Sequence, residues 1–140
     1  MRCTELMKRI LSVGLLIFVM LFLCSCGGNV SEVKISSVDS GIYSQNDIDS
    51  AINTAISYFK WNFNGCKLTQ IHYAGDEYAD EFKEWAKQYV ADEAIMLLSD
   101  FYVDSTGGDG SLEPDSTQSG WNWILVRNKN GSWEHKDHGY

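Results

Sequence analysis

Apolar residues recur at three- and four-residue steps in the first half of the chain, a spacing that predicts an amphipathic helix. The positions that share this apolar face are Ile48, Ile52, Ala55, Ile56, Phe59 and Phe63. Ser44 is a good N-cap, and Asp47 stands three residues later, where the acid of a capping box is usually found. Asn64-Gly65 predicts the end of the helix, because Gly tolerates the left-handed conformation required after a helix terminus.

A short strand from Lys67 to Ala74 and a second amphipathic helix are predicted to follow. Gly75 breaks the strand, and four acidic residues between positions 76 and 81 then occupy the first helical turns, where the helix dipole favours negative charge. The apolar stripe of this helix consists of Tyr78, Phe82, Trp85, Ala86 and Tyr89. Its charged opposite face is interpreted as solvated surface rather than as a catalytic pair of carboxylates.

The second half of the chain changes to strand patterns. Residues 94–103 form a nearly continuous apolar run, which is typical of a strand buried on both faces or of one in a strongly curved sheet. Residues 104–120 hold four glycines and the only proline of the chain, so they predict a long loop. Strands at 121–127 and 132–138 are expected to pair as a terminal ribbon, because Asn130-Gly131 can supply the positive φ angles of a hairpin.

The order of these elements is helix, strand, helix and then three strands, without internal repeats. Helices packed on one face of a mainly antiparallel sheet give an α+β domain. We therefore predict two helices on a curved, mainly antiparallel, four-stranded sheet over residues 44–140. A domain of this length buries one modest core, so a single domain is expected.

The amino terminus has the three-part layout of an export signal. Its basic start contains Arg2, Lys8 and Arg9. Fourteen mostly apolar residues follow, from Ile10 to Leu23, and small residues then lead to Cys26. This run is shorter than the roughly 20 apolar residues that a membrane-spanning helix requires. Residues 1–25 are therefore predicted to be a cleaved signal peptide.

Leu23-Cys24-Ser25-Cys26 resembles the lipobox of bacterial lipoproteins, in which a leucine three positions before the cysteine and a small residue just before it are recognised by processing enzymes. The resemblance implies that Cys26 becomes the first mature residue and carries a diacylglyceryl thioether. Two buried acyl chains supply stable anchoring, at about 0.8 kcal/mol per buried methylene. The expected location is the extracytoplasmic face of the cell membrane. The alternative is an ordinary secretory signal cut elsewhere, with Cys26 incidental.

The mature chain that this processing would leave has eight Lys or Arg and eighteen Asp or Glu, a net charge of −10. This charge argues against nucleic acid as a partner, because a phosphate backbone would be repelled. Residues 26–43 are rich in Gly, Ser, Asn and Asp and lack sustained periodicity, so they predict a flexible tether. Cys66 is the one cysteine of the folded part and is expected to be a small buried residue.

A resemblance to known proteins covers the chain from about residue 44 onward. The stretches that carry it are Tyr73-Ala74-Gly75-Asp76 through Glu93 to Asp104, Trp123–Arg127, Gly131-Ser132-Trp133 and His138-Gly139-Tyr140. They resemble small uncharacterised lipoproteins of Gram-positive gut bacteria. Their element order is similar to the NTF2-like and cystatin-like folds, in which a curved sheet wraps around a long helix. Such folds host binding proteins and enzymes alike, so the resemblance implies no catalytic residue and no cofactor.

His135 and Asp137 are the candidate acid/base residues. Alternate residues of a strand share a face, so these two side chains are expected on one face and that of His138 on the other. This arrangement argues against a zinc site with two histidines.

Trp121, Trp123 and Trp133 lie on the terminal ribbon and are candidate binding residues. Aromatic side chains on a curved sheet most often fill the core beneath the helix, which is the preferred interpretation. If partly exposed, they would form a platform for sugars, apolar ligands or a protein partner.

The loop after residue 103 offers a second set of candidates for a metal site. Its carboxylates belong to Asp104, Asp109, Glu113 and Asp115. Calcium takes six to eight oxygen ligands, but the spacing does not match the EF-hand pattern. An acidic, glycine-rich surface loop is the preferred interpretation, and no metal or cofactor is predicted.

Two functions follow from these patterns. The preferred one is a non-enzymatic binding or interaction module on the outer face of the membrane, engaging an unidentified protein, peptide or envelope component. The alternative is a small hydrolase or isomerase with a pocket between helix and sheet, using His135 and Asp137.

Overall fold

The computed structural model describes residues 2–5, 7–8, 27–129 and 131–140. The predicted lipobox, with Cys26, lies outside the described residues, as does most of the predicted signal peptide. Among the residues that are described, no helix is long and apolar enough to cross a membrane.

An α+β fold with one mixed sheet extends over the described residues from 27 to 140, which confirms the predicted class. In chain order, its elements are β1 (Lys34–Ser36), α1 (Gln45–Asn62), β2 (Cys66–Tyr73), a 3₁₀ turn (Asp76–Tyr78), α2 (Ala79–Gln88), β3 (Glu93–Val103), β4 (Ser116–Arg127) and β5 (Glu134–Gly139). The strands lie side by side in the order β1-β2-β3-β4-β5. The β1 strand runs parallel to β2, and every other pair is antiparallel.

The prediction of four strands is wrong, because the segment expected to be a flexible tether contributes a fifth strand. Lys34, Ile35 and Ser36 pair with β2. Upstream of them, Asn29 N donates to Cys66 O and Asn29 O accepts from Leu68 N. This pairing depends on backbone groups at the edge of β2 rather than on an apolar face, so hydrophobic periodicity gave no sign of it.

The loop after β3 is shorter than predicted. Strand β4 begins at Ser116 rather than Trp121, and its first residues pair with the end of β3. Residues 116–120 alternate between half-exposed and exposed positions, so they lack the apolar members by which a strand is recognised. Gly120 has a φ of +68°, which marks an irregularity in the strand where the register with β3 shifts.

Helix α1 begins and ends where the sequence predicts. The hydroxyl of Ser44 accepts from the backbone N–H of Asp47 at 3.1 Å, and the Asp47 carboxylate accepts from the N–H of Ser44 at 3.3 Å. This reciprocal pair is the predicted capping box. At the other end, Phe63 caps the helix and Gly65 has a φ of +70°. The buried face of the helix consists of Ile48, Ala51, Ile52, Ala55 and Phe59.

The core lies between α1 and the sheet. Register pairs Leu68 with Phe101 and Leu97 with Trp123, and all four side chains are fully buried. Residues 94–97 are buried in succession, which confirms that β3 is covered on both faces there. Each of β2, β4 and β5 carries an extra residue where its register against a neighbour shifts. Such bulges bend a strand and strengthen its twist.

Candidate functional site

A cleft of about 280 Å³ lies between the C-terminal end of α1, the sheet and the loop that joins β3 to β4. Its walls are formed by Tyr58, Asn62, Phe63, Asn64, Cys66, Gly108, Asp109, Ser111, Leu112, Trp121 and His138. Three of these side chains are aromatic rings, and several others carry amide, hydroxyl or carboxylate groups. The exposed lining of the cleft is more polar than apolar, with aromatic rings among converging amide, hydroxyl and carboxylate groups. A concave site in which polar groups converge is a candidate small-molecule site.

The loop over the cleft is held by its own backbone and acidic side chains. Asp104 N donates to Gly65 O at 2.9 Å, and Asp115 N donates to Asp104 O at 3.0 Å, so both ends of the loop are fixed to the sheet. The Asp104 carboxylate also accepts from the N–H and hydroxyl of Thr106. These hydrogen bonds lower the pKa of Asp104, and the loop is therefore folded over the site by groups that remain ionised at neutral pH.

The acidic residues of this loop do not converge on one point. Asp109 accepts from the N–H and hydroxyl of Ser111, which lowers its pKa, while Asp115 accepts from the hydroxyl of Tyr102 at 3.2 Å. Glu113 contributes a backbone carbonyl, which accepts from Ser116. Within the described part of the chain, no group of three His, Cys, Asp or Glu side chains could hold a metal ion. The carboxylates instead organise the loop.

A pair of histidine rings lies beside the cleft. His135 Nε2 and His138 Nδ1 are 3.0 Å apart, so one ring nitrogen donates to the other. The expectation that His138 points to the opposite face is wrong. Register aligns Leu125 with His135 but Ile124 with Asp137, which leaves one extra residue, Lys136, in β5. This bulge brings both histidines to the helix-facing side and turns Asp137 away from them.

Both histidines are packed among aromatic rings. The His135 ring stacks on the ring of Tyr58 in α1, with centroids 3.8 Å apart. The centroids of the His138 and Phe63 rings are 5.2 Å apart. Burial, reinforced by the neighbouring His138, lowers the pKa of His135 to about 4. Burial also lowers the pKa of His138. Both rings are therefore neutral at neutral pH, and His135 is a weak base.

The three candidate tryptophans divide into two groups. Trp123 is fully buried, with Nε1 donating to Ser99 Oγ at 2.8 Å, and Trp133 is buried with Nε1 donating to Asp47 O at 3.0 Å. These two side chains fill the core, which is the interpretation favoured by the sequence, and neither offers a binding platform. Trp121 is half-buried and lines the cleft, where its ring packs edge-to-face on Phe101. Its Nε1 is buried without a hydrogen-bond partner among the described residues.

Cys66 lies in the wall of the cleft, in an environment that disfavours its thiolate. Its side chain is buried, as the sequence predicts. Burial and the nearby carboxylates of Asp104 and Asp109 raise the pKa of its thiol to about 11. The reactive form of cysteine is the thiolate, which is not populated here at neutral pH.

Sequence analysis missed the contribution of α1 to the site. Tyr58 and Asn62 lie outside the predicted apolar face of the helix, and Asn64 lies just beyond its end, where the predicted stop signal Asn64-Gly65 marks the position of the cleft. The assembled groups can stack on a ring and exchange hydrogen bonds, but they do not form a nucleophile–base pair. The chain matches no protein-family model, no curated protein and no solved structure.

Proposed function

We propose that this chain is a lipid-anchored, extracytoplasmic, non-enzymatic binding module, and that its cleft takes a neutral, ring-bearing polar ligand such as a saccharide. The cleft is the observation that carries the proposal. The pattern around Cys26 supports the membrane anchor, with the domain outside the cytoplasmic membrane. An envelope component is the expected source of the ligand, because such a location faces the cell envelope.

The composition of the walls supports this class of ligand. Tyr58, Phe63 and Trp121 supply aromatic rings on which an apolar ring face can stack. Asn62 and Ser111 supply amide and hydroxyl groups for hydrogen bonds to a polar rim. No histidine here carries a positive charge at neutral pH, and the ionised loop carboxylates repel anions. The site therefore favours neutral ligands over anionic ones.

We also propose that the domain belongs among the NTF2-like or cystatin-like folds, as the resemblance to small lipoproteins implies. The long helix α1 packed against an antiparallel β2–β5 sheet supports this assignment. The parallel strand β1 is an addition at the edge of the sheet.

The geometry supports the enzymatic alternative less. The bulge at Lys136 turns the side chain of Asp137 away from His135, and Asp137 hydrogen-bonds the imidazole through its backbone instead, so the two side chains do not form an oriented acid/base pair. His135 is also stacked beneath Tyr58, and its lowered pKa of about 4 makes it a poor general base at neutral pH. We therefore expect His135→Gln to affect stability rather than a chemical step.

The test is a binding measurement with the full, processed chain in detergent, titrated with a panel of neutral and N-acetylated saccharides. Saturable binding of at least one neutral sugar is expected. The Asp109 carboxylate holds Ser111 in the cleft wall, so Asp109→Asn is expected to disturb this wall and weaken binding by about tenfold, which corresponds to roughly 1.4 kcal/mol. Asp80→Asn is the matched control, because Asp80 lies on the exposed face of α2 and pairs with Lys83.

Trp121→Phe provides a second comparison, since it reduces the aromatic wall while keeping a ring. Binding is expected to weaken with this variant and to remain unchanged with Trp85→Phe, which alters a tryptophan on α2. Failure of every neutral sugar to bind, or equal effects of the Asp109→Asn and Asp80→Asn variants, would overturn the proposed cleft function.

A further inference from the structure

Two residues after the proposed lipidation site, the described chain is already hydrogen-bonded to the domain. Gly28 N donates to Lys60 O at 2.9 Å, and Asn29 N donates to Cys66 O at 2.8 Å. The contact with α1 is close: a Cβ on Gly28 would lie 2.5 Å from the ring of Phe59. The segment leading from Cys26 is therefore fixed to the C-terminal turn of α1 instead of extending away from the domain.

This attachment limits the distance between lipid and protein. Two residues span at most about 7 Å when fully extended. A diacylglyceryl group on Cys26 would then hold the C-terminal end of α1 at the bilayer surface, whereas a flexible tether of the predicted length would span roughly 20 to 25 Å.

The residues exposed at this end fit the membrane interface. Trp61, in the last turn of α1, is 72% exposed, whereas the other four tryptophans are buried or half-buried. Lys60 precedes it, with Nζ 5.6 Å from the centroid of the Trp61 ring. Tryptophan is enriched at headgroup depth because its ring is apolar and its N–H polar, and lysine can keep its ammonium in water while its stem lies along an apolar surface.

We propose that the Lys60–Trp61 end of α1 rests in the interfacial layer of the bilayer that holds the acyl chains of Cys26. This inference rests on the lipid anchor of the proposed function. The occupant is a lipid surface because the chain itself leads from this end to the anchor. The same end carries Asn62 and Phe63 of the cleft, so the cleft lies close to the membrane surface and its ligand is bound there.

The test uses the full chain, matured in bacteria and reconstituted in phosphatidylcholine vesicles whose acyl chains carry bromine near the headgroup. Bromine quenches tryptophan fluorescence by contact. The wild-type chain is expected to float with the vesicles and to be quenched, and Trp61→Phe is expected to float equally but lose most of the quenching. Trp85→Phe is the matched control. Trp85 lies on α2, which packs near Tyr43 at the N-terminal end of α1, so this variant is expected to be quenched like the wild-type chain.

The outcomes separate the two proposals. A chain that floats without quenching at Trp61 keeps the anchor and overturns the membrane contact. A chain that does not float overturns the anchor and the contact together. A third outcome is that Trp61 fluorescence is protected from an aqueous quencher but is not quenched by bromine. If light scattering in detergent then gives the mass of a dimer, this end of α1 is an interface with a second copy of the chain, and the membrane contact is overturned.

Discussion

His135 Nε2 and His138 Nδ1 lie 3.0 Å apart, although the two residues are separated by an odd number of positions along one strand. A regular strand would place them on opposite faces. The extra residue in β5 interrupts the alternation of side chains between the two faces of the strand. Both rings therefore lie on one face, in contact with Tyr58 and Trp123. This arrangement creates a pair of half-buried imidazoles whose pKa values are lowered by burial.

The histidine pair should make the domain less stable as the pH falls below neutral. An unfolded histidine takes up a proton near pH 6.5, whereas burial lowers the pKa of folded His135 to about 4. The contribution to stability is therefore complete above pH 6.5 and is lost as the pH falls from there to about 4. At about 1.4 kcal/mol per pKa unit, the upper bound on the loss is roughly 3.5 kcal/mol for this residue, and its partial exposure to solvent makes the expected loss smaller. Urea unfolding at a series of pH values measures it.

The variant His135→Gln/His138→Gln should lose most of this pH dependence. Glutamine does not titrate, and it can still form hydrogen bonds in the same positions. The control is His72→Gln, which removes a histidine of β2 outside the pair and should leave the dependence nearly intact. A double variant that destabilises at low pH as steeply as the wild-type chain would contradict the prediction.

Arg127→Met should destabilise the fold by about 1–3 kcal/mol, less than the roughly 3–5 kcal/mol for breaking a fully buried pair, because both carboxylate partners are partly exposed. The Arg127 side chain is 18% exposed, and its Nη1 lies 2.7 Å from the carboxylate of Asp47. Its Nε pairs with Glu93, and its guanidinium lies 4.3 Å from the ring centroid of Trp133. Chemical unfolding at neutral pH gives the difference directly.

The control for Arg127→Met is Lys83→Met, which breaks a pair with Asp80 on the exposed face of α2. Exposed pairs contribute little, so the expected change is within about 0.5 kcal/mol. Equal effects of the two substitutions would show that Arg127 does not hold the start of α1 to the sheet.

Gly65→Ala should cost more stability than Gly110→Ala. Both glycines have positive φ angles, of +70° and +92°, so both substitutions strain the backbone. A Cβ at Gly65 would also lie 2.8 Å from a carboxylate oxygen of Asp104, whereas nothing lies within 4 Å of one at Gly110. We expect a difference of about 1 kcal/mol or more in unfolding free energy, since overpacking costs typically 1–3 kcal/mol. Similar costs at both positions would mean that the cleft loop does not press on Gly65.

Ser99→Ala should destabilise the core by about 1–3 kcal/mol, the cost of leaving a buried donor unpaired. Ser99 is itself buried, and its hydroxyl accepts from Nε1 of Trp123. Ser57→Ala, at an exposed position of α1, should change stability by less than about 0.5 kcal/mol. Thermal unfolding of the two variants compares them, and a neutral Ser99→Ala would contradict the packing described for β3 and β4.

The features that could be predicted from the sequence are those encoded by local patterns. The capping box of Ser44 and Asp47 and the apolar face of α1 each depend on neighbours a few residues apart. Strand β1 could not be predicted in the same way, because it is held by backbone groups of β2, a distant segment. The bulge at Lys136 could not be predicted for a related reason, because a shift of register depends on both strands of a pair.

The cleft was predicted only in outline. A pocket between helix and sheet was part of the enzymatic hypothesis, but its residues come from α1, β2, β4, β5 and the loop between β3 and β4. Trp121 was a candidate, and the structure places it in the wall. Nothing in the sequence indicated that Tyr58 and Asn62 line a site, because residues beside the apolar stripe of a helix are normally solvated.

Both the proposed function and the membrane contact at Trp61 depend on a lipid on Cys26. The most direct test is the intact mass of the chain extracted from bacterial membranes, together with the sequence of its first tryptic peptide. The account predicts a chain that starts at Cys26 and carries a thioether-linked diacylglycerol. A chain that retains Met1, or an unmodified thiol at Cys26, would contradict it.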